Sequence, residues 1–235
     1  MCMIDFDDFE VLIFDCYGTL IDWEFGILSG IKPILFNHNI YLNEDKILEL
    51  YAKIEVKIEN EKYIKYKEVL RIIVQDFGKK LKFKPSPNEI ESLVNSFDNW
   101  KPFPDTVNAL KKLKTKFKIA ILSNVDDDLF AISAKHLKVN FDFIITAEQV
   151  KSYKPSIKNF NFAINKIGIS KDKIIHVAQS LYHDIVPAKE LGLKTIWINR
   201  RKGKDGFGAT PAANAKPDLE FSDLKSFASS IFSKK

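Results

Sequence analysis

The chain has 235 residues, 46% of them hydrophobic, and a formal net charge of +5. This length suits one α/β domain, or a core with a smaller appended domain. The basic excess is mostly lysine interleaved with Glu and Asp, as in residues 55–62 and 111–118, which is typical of a solvated helical surface. Because basic residues do not cluster with aromatic or arginine readers, we expect no nucleic-acid partner.

Cysteine usage and hydropathy predict a cytoplasmic protein. Cys2 lies near the chain end and Cys16 lies in a predicted buried strand, so we do not expect them to form a disulfide. The first ten residues are acidic and do not resemble a secretory signal. Since the sequence has no apolar run of about 18 residues, we also expect no membrane span.

Short apolar runs without polar alternation predict buried parallel strands. These runs cover residues 11–16, 118–123, 143–146, 174–178 and 195–199, with a weaker edge strand at 219–221. Segments with helical spacing separate most of them, at residues 106–114, 127–137, 160–167 and 184–191. Strands that alternate with helices predict an α/β fold with a doubly wound, Rossmann-like parallel sheet.

One long segment interrupts this alternation. Residues 20–100 have helical spacing and contain no strong strand, and Ser86-Pro87-Asn88-Glu89 predicts the start of a helix over residues 90–97. We therefore expect a helical cap at residues 20–100, inserted into a core made of residues 1–19 and 101–235. Near the other end of the chain, Gly and Pro in residues 203–217 predict a long surface loop.

Polar residues follow the first two predicted strands, where ligands bind in a doubly wound sheet. Asp15 ends the first strand, and Gly18 and Thr19 then supply a tight turn and a hydroxyl. An aspartate that only caps the next turn is the alternative interpretation. Ser123 and Asn124 end the second strand with a hydroxyl and an amide that suit an oxyanion or a substrate carboxylate.

Two later segments complete the pattern. Lys154 precedes Pro155, and its ammonium suits neutralising a carboxylate nucleophile, although a lysine in a surface loop is the alternative. After the fourth strand, Asp184 either caps the following helix or projects into the cleft. His183 is interpreted as a surface or loop histidine, with a general base as the alternative. Because all these residues follow predicted strands, the joint pattern favours a catalytic site.

The set Asp15-Cys16-Tyr17-Gly18-Thr19, Ser123-Asn124, Lys154-Pro155 and Asp184 resembles the haloacid dehalogenase superfamily of hydrolases. Within it, the Asp-x-Tyr-Gly-Thr signature and the segment Trp197-Ile198-Asn199-Arg200 resemble the type II 2-haloacid dehalogenase branch. The resemblance implies a Rossmann-like core with a helical cap. It also implies that Asp15 is a covalent nucleophile, with catalytic roles for Lys154 and Asp184.

The residue two positions after the nucleophile bears on the reaction. Phosphatases of the superfamily have an aspartate there that protonates the leaving alkoxide, whereas this chain has Tyr17. They also often carry an acidic residue where this chain has Gln179. A halide needs no proton, so the resemblance favours a dehalogenase that requires no cofactor. If Mg²⁺ is used instead, Asp15 and Asp184 are the expected metal ligands.

The substrate-gripping residues of the dehalogenases are not all present. The cap arginine of those enzymes is Ala52 here, and Arg71, the one arginine of the insert, lies in a different helix. The family's tyrosine after the lysine corresponds to Phe160, and the serine and asparagine of the fourth signature correspond to Gln179 and Leu181. Either the substrate differs, or other groups take over this role, for which the candidates are Lys53, Tyr51, Tyr182 and His183.

We therefore expect Asp15 to attack C2 of a small 2-haloacid and water to hydrolyse the resulting ester. Asp184 is expected to orient Lys154 or to activate that water. Substrate contacts are expected from Thr19, Ser123, Asn124, Tyr17 and Ser180. Near the cap, an apolar halide pocket or plain core packing is expected from Trp23, Phe25 and Tyr51.

Two other functions compete with this interpretation. One is a Mg²⁺-dependent phosphatase acting on a small phosphomonoester, and the other is a non-catalytic binding protein on the same fold. For either enzyme the expected partner is a small anionic substrate. Neither a nucleic acid nor a membrane is expected as a partner. The sequence leaves the oligomeric state open, with a homodimer as one arrangement.

Overall fold

Six parallel strands form one sheet in the computed structural model, which describes residues 4–232. In chain order they are β1 (Val11–Phe14), β2 (Lys118–Ser123), β3 (Phe143–Thr146), β4 (Ile174–Ala178), β5 (Lys194–Ile198) and β6 (Leu219–Phe221). Across the sheet the order is β3-β2-β1-β4-β5-β6. From β1 the chain adds β2 and β3 on one side of the sheet and then β4, β5 and β6 on the other side. The carboxyl ends of β1, β2 and β4 therefore border the crevice in which ligands of such sheets bind.

Helices cover the sheet and fill the long connection between β1 and β2. That connection holds α1 (Trp23–Asn37), α2 (Glu44–Glu59), α3 (Tyr66–Leu81), α4 (Pro87–Ile90) and α5 (Ser92–Asn95), which we call the helical insert. The remaining helices are α6 (Thr106–Leu113), α7 (Asp127–Leu137), α8 (Ala147–Val150), α9 (Ile157–Ile167), α10 (Val186–Glu190) and α11 (Leu224–Phe232). Within residues 4–232, no helix is both long and apolar enough to cross a membrane.

The strands are buried on both faces, which explains their uninterrupted apolar sequences. Leu12 and Phe14 of β1 point into the cluster shared with the helical insert and α11, whereas Val11 and Ile13 point towards α9. The expected fold class, a doubly wound parallel α/β sheet, is confirmed. β2, β3, β4 and β6 have the predicted bounds.

Several predicted boundaries need correction. β1 ends at Phe14 rather than at residue 16, because Cys16 instead accepts backbone hydrogen bonds from Leu20 and Ile21. Gly18 allows this turn with a φ of +93°. β5 is shifted by one residue, and α9 begins three residues earlier than expected. The prediction on Cys2 lies outside the described residues.

Two predicted helices are broken up. The segment predicted at 184–191 is instead a π-turn, Leu181–Ile185, followed by α10, since Ser180 caps the turn by accepting from the backbone N–H of His183. The segment predicted at 90–97 forms α4 and α5 followed by a 3-10 turn. Its predicted start is the capping box at Ser86 and Glu89.

Aromatic packing and one buried carboxylate join the helical insert to the sheet. The Tyr17 ring lies edge-on to Phe97 and Trp100, with centroids 5.4 and 6.0 Å away. Asp126, fully buried before α7, accepts hydrogen bonds from the backbone N–H groups of Tyr66 and Lys67 at 2.8 and 3.0 Å. It therefore satisfies the free N-terminal donors of α3, and this fixes α3 over the carboxyl end of the sheet.

Candidate active site

A buried ion cluster lies at the carboxyl ends of β1, β2 and β4. The Lys154 ammonium donates to Asp15 Oδ1 at 2.8 Å, to Asp184 Oδ1 at 2.7 Å and to the Leu122 carbonyl at 3.0 Å. Asp15, Lys154 and Asp184 are 6%, 2% and 1% exposed, so water screens their charges weakly. The three residues predicted to be catalytic thus lie in one hydrogen-bonded group.

The second oxygen of the Asp15 carboxylate is also held. The Thr19 hydroxyl donates to Asp15 Oδ2 at 2.6 Å and accepts at 2.8 Å from the backbone N–H of Gln179. The Arg200 guanidinium donates to the Thr19 carbonyl at 2.9 Å. Thr19 is fully buried. It therefore orients Asp15, and its hydroxyl is not free for the substrate contact expected from the sequence.

The two carboxylates that share Lys154 differ in their environments. Burial raises the pKa of Asp15 above its ordinary value, against the opposing effect of Lys154. Burial also acts to raise the pKa of Asp184, but Lys154 and His176 hold that pKa below its ordinary value. For Lys154, burial acts to lower the pKa, while the two carboxylates bring about a net upward shift. The lysine therefore stays charged, and Asp15 is the more basic of the two carboxylates.

His176 is a buried partner of Asp184 that the sequence analysis missed. It lies in β4, and its Nε2 is 2.8 Å from Asp184 Oδ1. Its ring lies edge-on to Phe160, with centroids 5.2 Å apart. A histidine inside an otherwise apolar strand was the available signal, because a buried imidazole needs a hydrogen-bond partner.

Asn124 and Ser180, both expected to contact substrate, are occupied by protein groups. Asn124 Oδ1 accepts from the backbone N–H of Lys154 at 2.7 Å, and its Nδ2 donates to the Lys154 carbonyl at 3.0 Å. Ser180 Oγ accepts from the backbone N–H of His183 at 2.9 Å. Asn124 therefore positions the backbone of Lys154, and Ser180 caps the turn that carries Asp184.

The hydroxyl of Tyr17 is paired with a protein group, whereas that of Ser123 is not. The Tyr17 hydroxyl pairs with Ser133 Oγ of α7 at 2.9 Å, so Tyr17 contributes its ring, and not a free hydroxyl, to the site. Ser123 Oγ is buried and lines the cavity, and no group among residues 4–232 forms a hydrogen bond with it. Ser123 therefore has a hydroxyl free to hold a substrate oxygen.

His183 is not the surface histidine that the sequence analysis expected. It is 8% exposed and lines the cavity, with Nδ1 3.2 Å from Ser180 Oγ. Its Nε2 is 4.0 Å from Glu59 Oε2, and no residue in the described part of the chain forms a hydrogen bond with this nitrogen. Burial lowers the pKa of His183 to about 4, so its ring is neutral at pH 7.

The helical insert contributes two carboxyl groups that the sequence analysis assigned to a solvated surface. Glu55 is 3% exposed, and its Oε1 accepts from the hydroxyls of Tyr51 and Tyr66 at 3.0 and 2.8 Å. The Glu59 side chain is 5% exposed, and its Oε2 accepts from Asn124 Nδ2 at 3.2 Å. The expectation of a solvated face is therefore wrong for both residues, because α2 turns this face towards the sheet.

Of the groups proposed to replace the missing cap arginine, His183 lines the cavity, and the Tyr182 ring lies edge-on to it with centroids 4.9 Å apart. Lys53 is exposed, and Tyr51 is buried behind Glu55. Arg71, on α3, pairs with Glu91 at 2.7 Å and is not among the residues that line the cavity. Of the aromatic candidates, Trp23 lines the cavity, whereas Phe25 is 62% exposed.

The cavity over Asp15 is small. Its volume is about 30 Å³, which is room for one or two water molecules. The ion cluster and Ser123 form its sheet side, and Glu55, Glu59, Trp23 and Tyr66 form its insert side. Thr210, from the loop between β5 and β6, also reaches it, so the loop predicted to lie on the surface is partly buried.

The side chains do not fit a Mg²⁺ site well. Lys154 stands between Asp15 and Asp184, and Thr19 occupies the second oxygen of Asp15. Asp184 Oδ2 is the one carboxylate oxygen of this pair that no described residue contacts. In residues 4–232, no three His, Cys, Asp or Glu side chains are arranged to hold a metal ion, whereas Mg²⁺ demands six well-placed oxygens.

A pH-dependent stability is expected at Glu55. Burial raises its pKa from 4.5 to about 7, so its contribution to stability is present below pH 4.5 and is lost as the pH rises through 7. We expect Glu55→Gln to raise the free energy of unfolding at pH 8.5 by on the order of 2 kcal/mol and to change it little at pH 4. Urea unfolding measures both, with the exposed Glu49→Gln on the same helix as control. Destabilisation at pH 8.5 would contradict this result.

The chain is similar in sequence to dehalogenases and to a phosphatase, and in fold to a dehalogenase structure. The chain is 25% identical over 229 residues to an (S)-2-haloacid dehalogenase of Pseudomonas putida, covering 91% of this chain and 96% of the relative. It is 27% identical over 202 residues to a glyceraldehyde 3-phosphate phosphatase of Methanocaldococcus jannaschii, covering 74% and 88%. The L-2-haloacid dehalogenase structure from Xanthobacter autotrophicus has the same fold, with a TM-score of 0.77 at 16% identity over 97% of this chain and all of that one.

The family assignment depends on a match to a family model. Residues 9–192, most of the chain, match the model of the haloacid dehalogenase-like hydrolases. That segment includes the ion cluster, the helical insert and four of the six strands. The resemblance predicted from the motifs is thereby confirmed, and the chain belongs to the haloacid dehalogenase-like hydrolases.

Proposed function

We propose that this hydrolase cleaves the carbon–halogen bond of small 2-haloacids through an ester at Asp15. The observation that carries the proposal is the environment of Asp15. Lys154 and Thr19 each hold one carboxylate oxygen, and Tyr17, two residues on, has its hydroxyl paired with Ser133. An alkoxide leaving group needs a proton donor in this place, whereas a halide leaves as a stable anion. The haloacid dehalogenases among the relatives support this chemistry.

The reaction proceeds in two steps. First, an Asp15 oxygen attacks C2, the carbon–halogen bond breaks with its electron pair, and the halide leaves. Water then attacks the ester carbonyl carbon of Asp15, and the bond from that carbon to the substrate oxygen breaks. The products are a 2-hydroxyacid, the halide and one proton, and Asp15 keeps one oxygen from water. C2 is inverted once, because only the first step occurs there.

The surrounding residues have distinct roles in this proposal. Lys154 aims the nucleophile, and Asp184 holds Lys154 at 2.7 Å from the opposite side. The Ser123 hydroxyl holds a carboxylate oxygen of the substrate. Thr19 and Asn124 act through Asp15 and Lys154 rather than on the substrate.

We also propose that residues 20–100 act as a cap over a core made of residues 1–19 and 101–235. The cavity of about 30 Å³ is too small to admit a haloacid without movement of its walls. Opening of the helical insert would admit the substrate, and closure would exclude bulk water and strengthen the electrostatic interactions around Asp15.

Metal independence is the expected result that tests this function. Because the Lys154 ammonium neutralises Asp15, halide release from 2-chloropropionate should be unchanged after treatment with a chelator. Phosphate release from small phosphomonoesters, assayed in parallel with added Mg²⁺, should be weak. Halide release that a chelator abolishes and Mg²⁺ restores would contradict the proposal, and strong Mg²⁺-dependent phosphate release would favour the phosphatase alternative.

A further inference from the structure

The described residues on the insert side of the cavity offer hydrogen-bond acceptors and no cation. Glu55 and Glu59 are one helical turn apart on α2, and both face the cavity. Among the described residues, neither forms an ion pair with Lys or Arg, and Arg71 of the insert is engaged by Glu68 and Glu91. The insert side of the cavity therefore suits a cation better than an anion.

The charge balance of the cavity is negative. Asp15, Asp184, Glu55 and Glu59 line it, and Lys154 is the one lysine or arginine among its described lining residues. Burial raises the pKa of Glu55 to about 7 and that of Glu59 well above its ordinary value, so protonation relieves part of the excess. The titratable groups that face the pair are Asp15, Lys154, Asp184, His183, Tyr51 and Tyr66. Carboxyl groups buried without a cation are costly, and a bound cation would offset that cost.

Besides the carboxylate of Asp184, two buried side chains that line the cavity, Ser123 and His183, have a polar atom without a hydrogen-bond partner among the described residues. Ser123 Oγ, on the sheet side, follows the Leu122 carbonyl that Lys154 contacts at 3.0 Å. His183, in the turn after β4, has its Nε2 4.0 Å from Glu59 Oε2 of the insert side. No residue between 4 and 232 forms a hydrogen bond with either atom. A ligand that fills the cavity would present an oxygen to Ser123 and a positive donor to the glutamates.

We propose that the substrate is a 2-haloacid whose C2 side chain carries a protonated amine, which binds between Glu55 and Glu59. This inference rests on the proposed function, because it uses Asp15 as the nucleophile and the sheet side as the carboxylate site. Trp23 and Tyr66 also form part of the insert side of the cavity, and aromatic faces attract ammonium groups.

Binding of the reaction's products tests the inference separately from catalysis. Lactate, glycerate and isoserine share the 2-hydroxyacid group and end in methyl, hydroxymethyl and aminomethyl groups. Calorimetry on the full chain at pH 7 should show isoserine binding at least about tenfold more tightly than the near-isosteric glycerate. It should also show proton release on isoserine binding, because the ammonium favours the ionised glutamates. Isoserine that binds no more tightly than glycerate, including no binding of either, would overturn the proposal.

Variants locate the effect. Glu55→Gln and Glu59→Gln should each weaken isoserine binding about tenfold or more and leave lactate binding unchanged, while Glu49→Gln should change neither. Equal losses for lactate and isoserine would indicate a merely structural role and overturn the assignment. The comparison of wild-type ligands does not depend on how the variants fold.

Halide release separates the two proposals. 3-Amino-2-chloropropionate should be turned over with a kcat/KM at least about tenfold above that of 2-chloropropionate. Selective isoserine binding without halide release from either compound would contradict the proposed reaction and support the ammonium site. Equal turnover of both compounds would retain the reaction and remove the ammonium site.

Discussion

Asp15→Asn is expected to reduce halide release by roughly 10⁴-fold or more while the protein stays folded. An amide is a poor nucleophile, and it cannot form the ester that water later hydrolyses. The substitution removes one of two carboxylates that share Lys154, so the remaining Asp184 still neutralises the lysine. We therefore expect thermal stability to be unchanged or raised, as when a strained active-site charge is removed. Halide assays and thermal unfolding on the same preparation measure both effects.

Loss of activity alone does not distinguish a nucleophile from a general base, because Asp15→Asn disables both routes. A single turnover in ¹⁸O-labelled water with enzyme in excess makes the distinction. Direct attack should place the label in the Asp15 carboxylate and leave the first 2-hydroxyacid unlabelled. Mass analysis of the peptide covering residues 11–20 detects the label, and an unlabelled peptide beside labelled product would overturn the covalent mechanism.

Lys154→Met is expected to abolish activity and to lower the free energy of unfolding by about 3–5 kcal/mol at pH 7.5. Met fills a similar volume but leaves Asp15 and Asp184 buried without their ammonium partner. In the wild type, Lys154 and His176 hold the pKa of Asp184 low, so this contribution is present above its unfolded pKa and is lost on acidification. In the variant both carboxyls are disfavoured as anions. The difference between the two proteins should therefore shrink at pH 4.

Urea unfolding at the two pH values measures this difference, and two controls sharpen it. Lys158→Met, an exposed lysine on α9, should change stability by less than about 0.5 kcal/mol. Adding Asp184→Asn to Lys154→Met should restore part of the stability and none of the activity, because it removes one unpaired buried charge. A loss that is equal at both pH values would point to packing, rather than charge, as the role of Lys154.

The sequence by itself determined the sheet and the residues at its carboxyl edge. A strand buried on both faces must be apolar along its length, so the positions of the strands could be located from short apolar runs alone. Parallel strands place their carboxyl ends at one edge, and this brings Asp15 and Ser123 together and sets the turn that holds Asp184 beside them. Lys154 joins them from a loop, as the joint pattern predicted.

Only the tertiary structure decided how these polar side chains are used. Thr19, Asn124 and Ser180 bond to other protein groups, because a buried donor or acceptor takes the nearest partner, and that partner is distant in sequence. Glu55 and Glu59 have the same local pattern as a solvated helix face, since their spacing is compatible with either environment. The orientation of α2 over the sheet depends on its packing with α3 and on the anchoring of α3 by Asp126, which helical periodicity does not encode.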